Sequence, residues 1–450
     1  MSGSPVGTPL HKFPEPVLDA APIPKERYTS PAFARLEWDR MWTRTWLFAG
    51  PLSDLERIGD YFTFEIGRES IVVARSAPDR IDAFYNVCQH RASQVVLGRG
   101  CGHARSFVCP YHLWTYDLSG RLRGLPDRED FPQGIPEDMR MPALRVETWG
   151  GFVFVNMDPD AAPLADHLGI VAEHLAPYDF GRNYALAEDY TFEWACNWKV
   201  GVDSFNEVYH VQGIHPELLP FTDDVDCPID LLGPHSRFLF KVGVPSPRWS
   251  DKKAQDAGYR DRHALSNEMR ELLGYYQIDP APFEHDAQGV RAALIAASRE
   301  MARAAGWDVS ALNDEQLWID VHYTLFPNIT LNISTGHFWL FRHRPHPTDP
   351  ERMYWDFQEY RRIAPGGERP PRPEHVDAIW GDGHEQKIHL ALLQDGNAAP
   401  PQQRGLASRG FRGLHLARQE RRIRHFHAVL GRLVGDGASG DAARTEGSAS

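Results

Sequence analysis

Cysteine is scarce, with five in 450 residues. So few, and an odd number, exclude a disulfide-stapled scaffold and fit a reducing compartment. Long apolar runs are missing too. No stretch approaches the roughly 20 apolar residues that a bilayer span needs, and Met1 to Leu10 has neither the basic start nor the apolar middle of a secretory signal. A soluble, cytoplasmic protein without a membrane partner is the expectation. Positive charge is in deficit: 48 Lys and Arg against 61 Asp and Glu leave a net charge of −13. Such a surface is a poor match for nucleic acid or anionic lipid.

Core material, by contrast, is plentiful. Hydrophobic residues make up 42% of the chain, with 13 Trp and 23 Phe, so a mostly disordered protein is ruled out. The length predicts two or three domains. Residues 1–45 read as a Pro-rich arm over the surface, ending in a short helix on Leu36, Met41 and Trp42. Residues 46–160 read as β structure, with short strands on either side of Gly67 and a strand buried on both faces from Phe152 to Asn156. Residues 161–434 mix helices with alternating strands around 318–342 and 353–360, and close on a helix marked by Ile423, Phe426, Leu430 and Leu433. Residues 435–450 read as a disordered tail. The fold class is therefore α+β.

Two Cys–His pairs stand in the β-rich part: Cys88-Gln89-His90 and Cys109-Pro110-Tyr111-His112, eighteen residues apart. A Cys₂His₂ zinc site is the first competitor, but Cys-x-His is tighter than zinc fingers use. A Rieske cluster puts two cysteines on one iron and two histidines on the other. A short Cys–His spacing on each of two loops supplies that set. Cys101, Cys196 and Cys227 lack partners at ligand spacing and read as ordinary thiols.

A second constellation follows Asn197-Trp198-Lys199. On a helix Glu207 and His210 lie one turn apart. His215 would point away unless Gly213 ends that helix and turns the chain back. Two histidines and one carboxylate with open positions form the site of non-haem Fe(II) oxygenases. Several acids can complete it, among them Asp382, Glu385 and Asp395. His384 and His389 are five residues apart rather than the four of a zinc-protease motif, so that stretch reads as a solvated helix face.

At these residues the sequence resembles the large subunit of the Rieske ring-hydroxylating oxygenases, from about residue 35 to 433. The family's loops read Cys-x-His-Arg-Gly and Cys-Pro-Tyr-His-Gly-Trp; here Ala92 and Leu113 stand in place of the two glycines. That departure bears on the loop backbone and removes no ligand. Asn197-Trp198-Lys199, then Glu207-Val208-Tyr209-His210 and His215, match the family's second motif. Gln394-Asp395 followed by Gln403-Arg404-Gly405-Leu406 matches its third.

The resemblance implies a Rieske β domain followed by a catalytic domain with an antiparallel sheet flanked by helices. It implies a [2Fe–2S] cluster on Cys88, His90, Cys109 and His112, and a mononuclear Fe(II) on His210, His215 and Asp395. Glu207 would link this iron to the neighbouring subunit's cluster histidine, equivalent to His112, within a homotrimer that has or lacks a small β subunit. Electrons from NAD(P)H would arrive through a separate flavin reductase, directly or by way of a ferredoxin. O₂ would then hydroxylate or demethylate an aromatic or alicyclic substrate in a mostly apolar pocket, for which Asp203, Val208, Val211 and Leu219 are the candidate lining. Eight arginines between 404 and 432, Arg421 and Arg422 among them, are either a ferredoxin-docking patch or solvated helix faces. The competing readings are a Rieske electron carrier without oxygenase chemistry and a zinc-dependent hydrolase.

Overall fold

The computed structural model describes residues 16–435, apart from the side chains of residues 315 and 318–320. Asp60–Ile66 alternates buried and half-buried positions, and its partner Glu69–Ala77 is buried from Ile71 to Ala74. They pair antiparallel around a turn at Gly67, where φ is +55° and a Cβ would lie 2.2 Å from the Trp38 ring. Only glycine meets both demands. These strands lie toward one end of a seven-stranded antiparallel sheet. Its order is Leu47–Pro51, Phe152–Asn156, Ala143–Trp149, Arg80–Tyr85, Glu69–Ala77, Asp60–Ile66 and Cys101–His103. A small three-stranded sheet, Phe107–Val108, Thr115–Tyr116 and Leu122–Gly124, carries the loops beside it. Phe152–Asn156 is buried throughout, as its continuous apolar run predicts.

The second domain is built on a nine-stranded sheet. Neighbours run Thr222–Asp223, His235–Val242, Ile319–Leu325, Ile329–Ile333, His337–Pro345, Met353–Arg362, Tyr184–Trp194 and Val376–Ile379, with Ile229–Leu232 pairing beside His235–Val242. All pairs are antiparallel except the last, in which Val376–Ile379 runs parallel to Tyr184–Trp194. The helices Val290–Ala304, Leu390–Ala407 and Arg421–Val434 belong to this domain.

Asp356 joins the two domains. It is buried in the nine-stranded sheet and accepts from Arg342 Nε at 2.5 Å and from Arg344 at 2.7 Å. The same guanidinium groups donate across the junction to the carbonyls of Phe48, Ala49 and Glu65. The two arginines hold the Asp356 carboxyl far below its usual range against the opposing effect of burial.

Three expectations need correcting here. The N-terminal arm does not simply lie on the surface from residue 16 on. Ile23–Pro24 pairs with Gly413–Leu414, Arg27 and Tyr28 are buried, and Glu37 forms a fully buried ion pair of 2.6 Å with Lys199. In the last helix Val434, not Leu433, takes the buried position after Leu430. Arg422 in that helix is completely buried and cannot serve a docking surface. The proposed tail falls, from residue 436, outside the described residues.

His375 offers a test of the sheet's edge. Hydrogen bonds to Asp189 and Asp377 raise it from its usual 6.5 to about 9. Its stabilising contribution is therefore complete below about pH 6.5 and is lost as the pH rises through 9. His375→Ala should lower stability by on the order of 1 kcal/mol at pH 6 and by little at pH 10, since the ring is partly solvated. Urea unfolding of both proteins at the two pH values checks this.

Candidate functional site

The two Cys–His loops have the same backbone skeleton. The N–H of Ala92 donates to the Cys88 carbonyl and the Cys88 N–H to the Ser93 carbonyl; Leu113, Cys109 and Trp114 repeat the pattern one for one. Each loop closes through a left-handed residue, Ala92 and Leu113, both at φ 60°. The missing glycines thus leave the loop shape intact, and the side chains bear the strain instead. Cys88 and Cys109 are buried, while His112 is half-buried at the loop tip. Burial raises the Cys88 thiol, whereas N–H groups of Tyr111 and His112 overcome burial to lower Cys109. The His90 and His112 rings approach to 4.4 Å between centroids, and His90 stacks on Trp114. His90 Nδ1 is buried without a hydrogen-bond partner among the described residues. An orphaned imidazole nitrogen beside two buried thiols is a donor set that a Rieske cluster would satisfy.

The second group forms where the chain leaves the helix Trp198–Ser204. Glu207 and His210 are not on a continuous helix, as the spacing suggested. They occupy a turn, and the short helix Val211–Ile214 contains Gly213 rather than ending at it. Pro216 stops that helix, because the residue before proline is pushed out of the helical region, and His215 sits at φ −121°, ψ 53°.

Asp395 arrives from the helix Leu390–Ala407, capped by the His389 ring. Its Oδ1 lies 3.0 Å from His215 Nε2 and 3.5 Å from His210 Nε2. Among the described residues, these are the only three whose ligand atoms all lie within 4.8 Å of one another. The Cys–His quartet is not drawn round one point in this way, which disfavours a single tetrahedral zinc there.

Each histidine's outer nitrogen is held. His210 Nδ1 donates to Glu207 Oε1 at 2.5 Å, and His215 Nδ1 to Gln394 Oε1 at 2.7 Å. With those protons fixed on Nδ1, both Nε2 atoms point at the Asp395 carboxylate and, once deprotonated, present the lone pairs that a divalent metal requires. Burial opposes charge on His210, but Glu207 and Asp395 outweigh it and raise the ring to about 9; His215 is raised likewise, chiefly by Asp395. The donor set therefore fits a metal ion, which would take the place of those protons.

Helix Leu390–Ala407 reaches this position by two contacts that the sequence did not announce. Gly396 lies against Trp380 so closely that a Cβ would come within 2.0 Å of the ring. Gln403 Oε1 accepts the Asn197 N–H at 2.9 Å, which ties the third motif to the start of the second. The rival acids have other work. Asp382 accepts the N–H groups of Ile379 and His384, and buried Glu385 those of Gly381 and Gly383. The stretch His384–Lys387 is a single 3₁₀ turn, not a solvated helix face.

Beside the three ligating atoms is a pocket of about 100 Å³. Its floor is a row in direct cross-strand register: Phe238, His322, Asn332 and Trp339. Phe205, Val208, Val211, Leu218 and Phe240 close the sides. Of the four candidate lining residues, Val208 and Val211 are here. Leu219 does not line it and is buried in the apolar cluster of Val208, Val211, Phe238, Trp249 and Ala254 beside it. Asp203 turns the other way, accepting from Tyr28 Oη at 2.5 Å with His427 Nε2 at 3.3 Å.

Residues 181–436 match the family model of the ring hydroxylating alpha subunit (catalytic domain), and residues 45–139 match that of the Rieske [2Fe-2S] domain. The chain belongs to this family of Rieske oxygenase alpha subunits. The two domains together imply a Rieske cluster and a mononuclear iron.

Relatives include the glycine betaine monooxygenase oxygenase subunit of Chromohalobacter salexigens, 36% identical over 46% of this chain and 46% of the relative. The carnitine monooxygenase oxygenase subunit of Escherichia coli is 32% identical over 51% of this chain and 60% of its own length. The match spans about half the length of such curated relatives. Among solved structures, a quaternary ammonium Rieske monooxygenase with L-carnitine superposes at a TM-score of 0.63 and 22% identity, covering 92% of this chain and 95% of that one. Naphthalene 1,2-dioxygenase from a Rhodococcus species follows at 0.61 and 18%, covering 93% and 95%. Both likenesses concern the fold. No helix among the described residues of the alpha subunit is long and apolar enough to cross a membrane.

Leu113→Gly should relieve the left-handed strain at an exposed position and stabilise the cluster domain by about 1 kcal/mol, the strain removed less the entropy that glycine adds to the unfolded chain. A fall in thermal midpoint on this substitution would contradict the strain argument.

Proposed function

We propose that this alpha subunit is the catalytic component of a Rieske monooxygenase that oxidises a C–H bond beside a quaternary ammonium group. One observation carries the reading: two histidine Nε2 atoms and a carboxylate converge at the edge of a pocket walled by Phe205, Phe238, Phe240 and Trp339. Aromatic faces attract a quaternary ammonium by roughly 0.5–2 kcal/mol each, more when water is excluded. Such a cation has no N–H left unsatisfied in an apolar pocket. Relatives named for glycine betaine, carnitine and choline support the same class. An aromatic or alicyclic hydrocarbon, the expectation from the motifs, has less support, because the likeness to naphthalene dioxygenase is one of fold.

Cys88, His90, Cys109 and His112 would hold the cluster, and His210, His215 and Asp395 the iron. When bound, the cluster supplies electrons and the iron offers open positions for O₂. The chain's own residues position these parts. Glu207 and Gln394 fix the tautomers of His210 and His215, and Val208, Val211 and Leu218 keep water from the reacting carbon.

Glu207 has its carboxylate only partly exposed, with both oxygens on His210, and retains lone pairs for a second donor. His112 of a neighbouring copy would be that donor in a homotrimer. Exposed apolar groups support the contact: Val108 and Tyr111 stand at the second Cys–His loop, and Tyr209 flanks Glu207. A flavin reductase, directly or through a ferredoxin, would supply the electrons.

Anaerobically purified protein should contain about three irons and two acid-labile sulfides per chain. Its reductase-dependent O₂ uptake should rise with glycine betaine, carnitine or choline. Zinc without sulfide would sink the whole reading; uptake driven by naphthalene and by none of the ammonium compounds would sink the substrate class alone. Glu207→Gln should keep both metals and lose most turnover, roughly tenfold to a hundredfold by analogy with lost orienting partners of metal ligands. Metal analysis and stopped-flow reoxidation of the cluster separate that outcome from simple loss of iron.

A further inference from the structure

His322 lies in the pocket floor and is 3% exposed. Its ring stacks on Phe238 at 4.4 Å, and its Nδ1 faces both terminal nitrogens of Arg422 at 3.4 Å. A guanidinium has donors and no acceptor. Nδ1 must therefore be the acceptor, and the proton of the neutral ring sits on Nε2. That Nε2 is buried and has no partner among the described residues. A buried N–H without an acceptor is costly and rare, and the His322 ring that carries this one lines the pocket beside the iron ligands.

Arg422 adds a second anomaly. It is fully buried, donates to Ser236 Oγ, Thr324 Oγ1 and His322, and lies over the Phe238 ring. No carboxylate pairs with it among the described residues. Burial pulls it down only to about 9, so it remains a cation at neutral pH. Buried charge of this kind is normally compensated. The other charges around the pocket, Glu207 and Asp395, are committed to the iron ligands. A bound anion at the His322 wall would satisfy the orphaned donor and offset the cation behind it.

We propose that His322, held by Arg422, is a specificity-determining residue whose Nε2–H binds a carboxylate oxygen of the substrate. Combined with the ammonium reading above, on which this part rests, the substrate is a small zwitterion. Its cationic end meets the aromatic walls, and its carboxylate meets the polar centre of the floor, where Asn332 neighbours His322 in register. A simple amino alcohol would leave the Arg422 charge uncompensated and should be a weaker ligand.

The test is calorimetric binding to the anaerobic holoenzyme, with two matched ligand pairs: glycine betaine with tetramethylammonium, and benzoate with benzene. Wild type should favour the carboxylate-bearing member. His322→Phe should lose roughly tenfold to a hundredfold in affinity for that member, the value of a hydrogen bond to a charged group, and stay within about twofold for its partner. His322→Gln, which restores an N–H donor, should recover part of the loss; His322→Leu replaces the Phe variant if the phenyl ring prevents folding. A His322-dependent preference in the betaine pair upholds both readings. The same preference confined to the benzoate pair upholds the role of His322 and removes the ammonium reading. If wild type favours neither carboxylate, or His322→Phe weakens both members of a pair equally, the assignment of His322 is overturned.

Discussion

Asp395 meets His215 across 180 positions of sequence, and that meeting depends on how closely the helix Leu390–Ala407 can lie against its neighbours. Gly396 admits the Trp380 ring where any Cβ would collide, and Gln403 accepts the N–H that opens the helix Trp198–Ser204. The first contact sets the depth of the helix and the second its position along the axis. A shift of a single ångström here would separate the carboxylate from the imidazoles, and sites of this kind tolerate only about half that. Gln394, one residue before the ligand, holds His215 Nδ1. One helix turn thus supplies the carboxylate, the orientation of a histidine and the close contact that seats them.

The cluster domain is attached by a different device. Two guanidinium groups share the buried Asp356 and spend their remaining donors on carbonyls of the first domain. Anchored on one carboxylate, the two arginines act as hydrogen-bonding brackets between the sheets. Truncating Asp356 would strand two buried cations, which is far more costly than the pair is stabilising. Three guanidinium-to-carbonyl hydrogen bonds thus cross the junction from the one buried ion-pair cluster. The matching hydrogen-bond skeletons of the two Cys–His loops explain why Ala92 and Leu113 are tolerated: four backbone bonds fix the conformation, and the side chain only adds strain to it.

What was legible in the sequence was whatever chemistry is encoded over a few residues. The Cys–His spacings, the closeness in sequence of Glu207, His210 and His215, and the apolar strand Phe152–Asn156 are local patterns, although the spacing of Glu207 and His210 pointed to a helix where the chain makes a turn. The helix that carries Asp395 was not legible. Gly396, Pro400 and Pro401 argue against any helix, and tertiary contacts override them. Asp203 was misplaced for a related reason. Its neighbours in sequence line the pocket, but its carboxylate is claimed by Tyr28 from an arm that carries little pattern of its own. Arg422 looked like surface because arginine usually is; nothing in a helical repeat reveals which arginine has been drawn inside.

Burying that arginine has a consequence for the pocket as a whole. The side formed by His210, His215 and Asp395 carries the Glu207 and Asp395 carboxylates, and the floor has the Arg422 guanidinium behind it, with neutral aromatic rings between. Between largely apolar walls a field of this kind is screened less than in bulk water. A molecule with separated charges is turned by it before any contact is made, whereas an uncharged hydrocarbon is not turned at all. Burial pushes His322 well below its usual value, and the neighbouring guanidinium does the same, so the ring stays neutral and its Nδ1 remains free to accept from Arg422. The arrangement is therefore self-consistent: the cation that would attract an anionic end also keeps the one polar ring on the floor in the tautomer able to bind it.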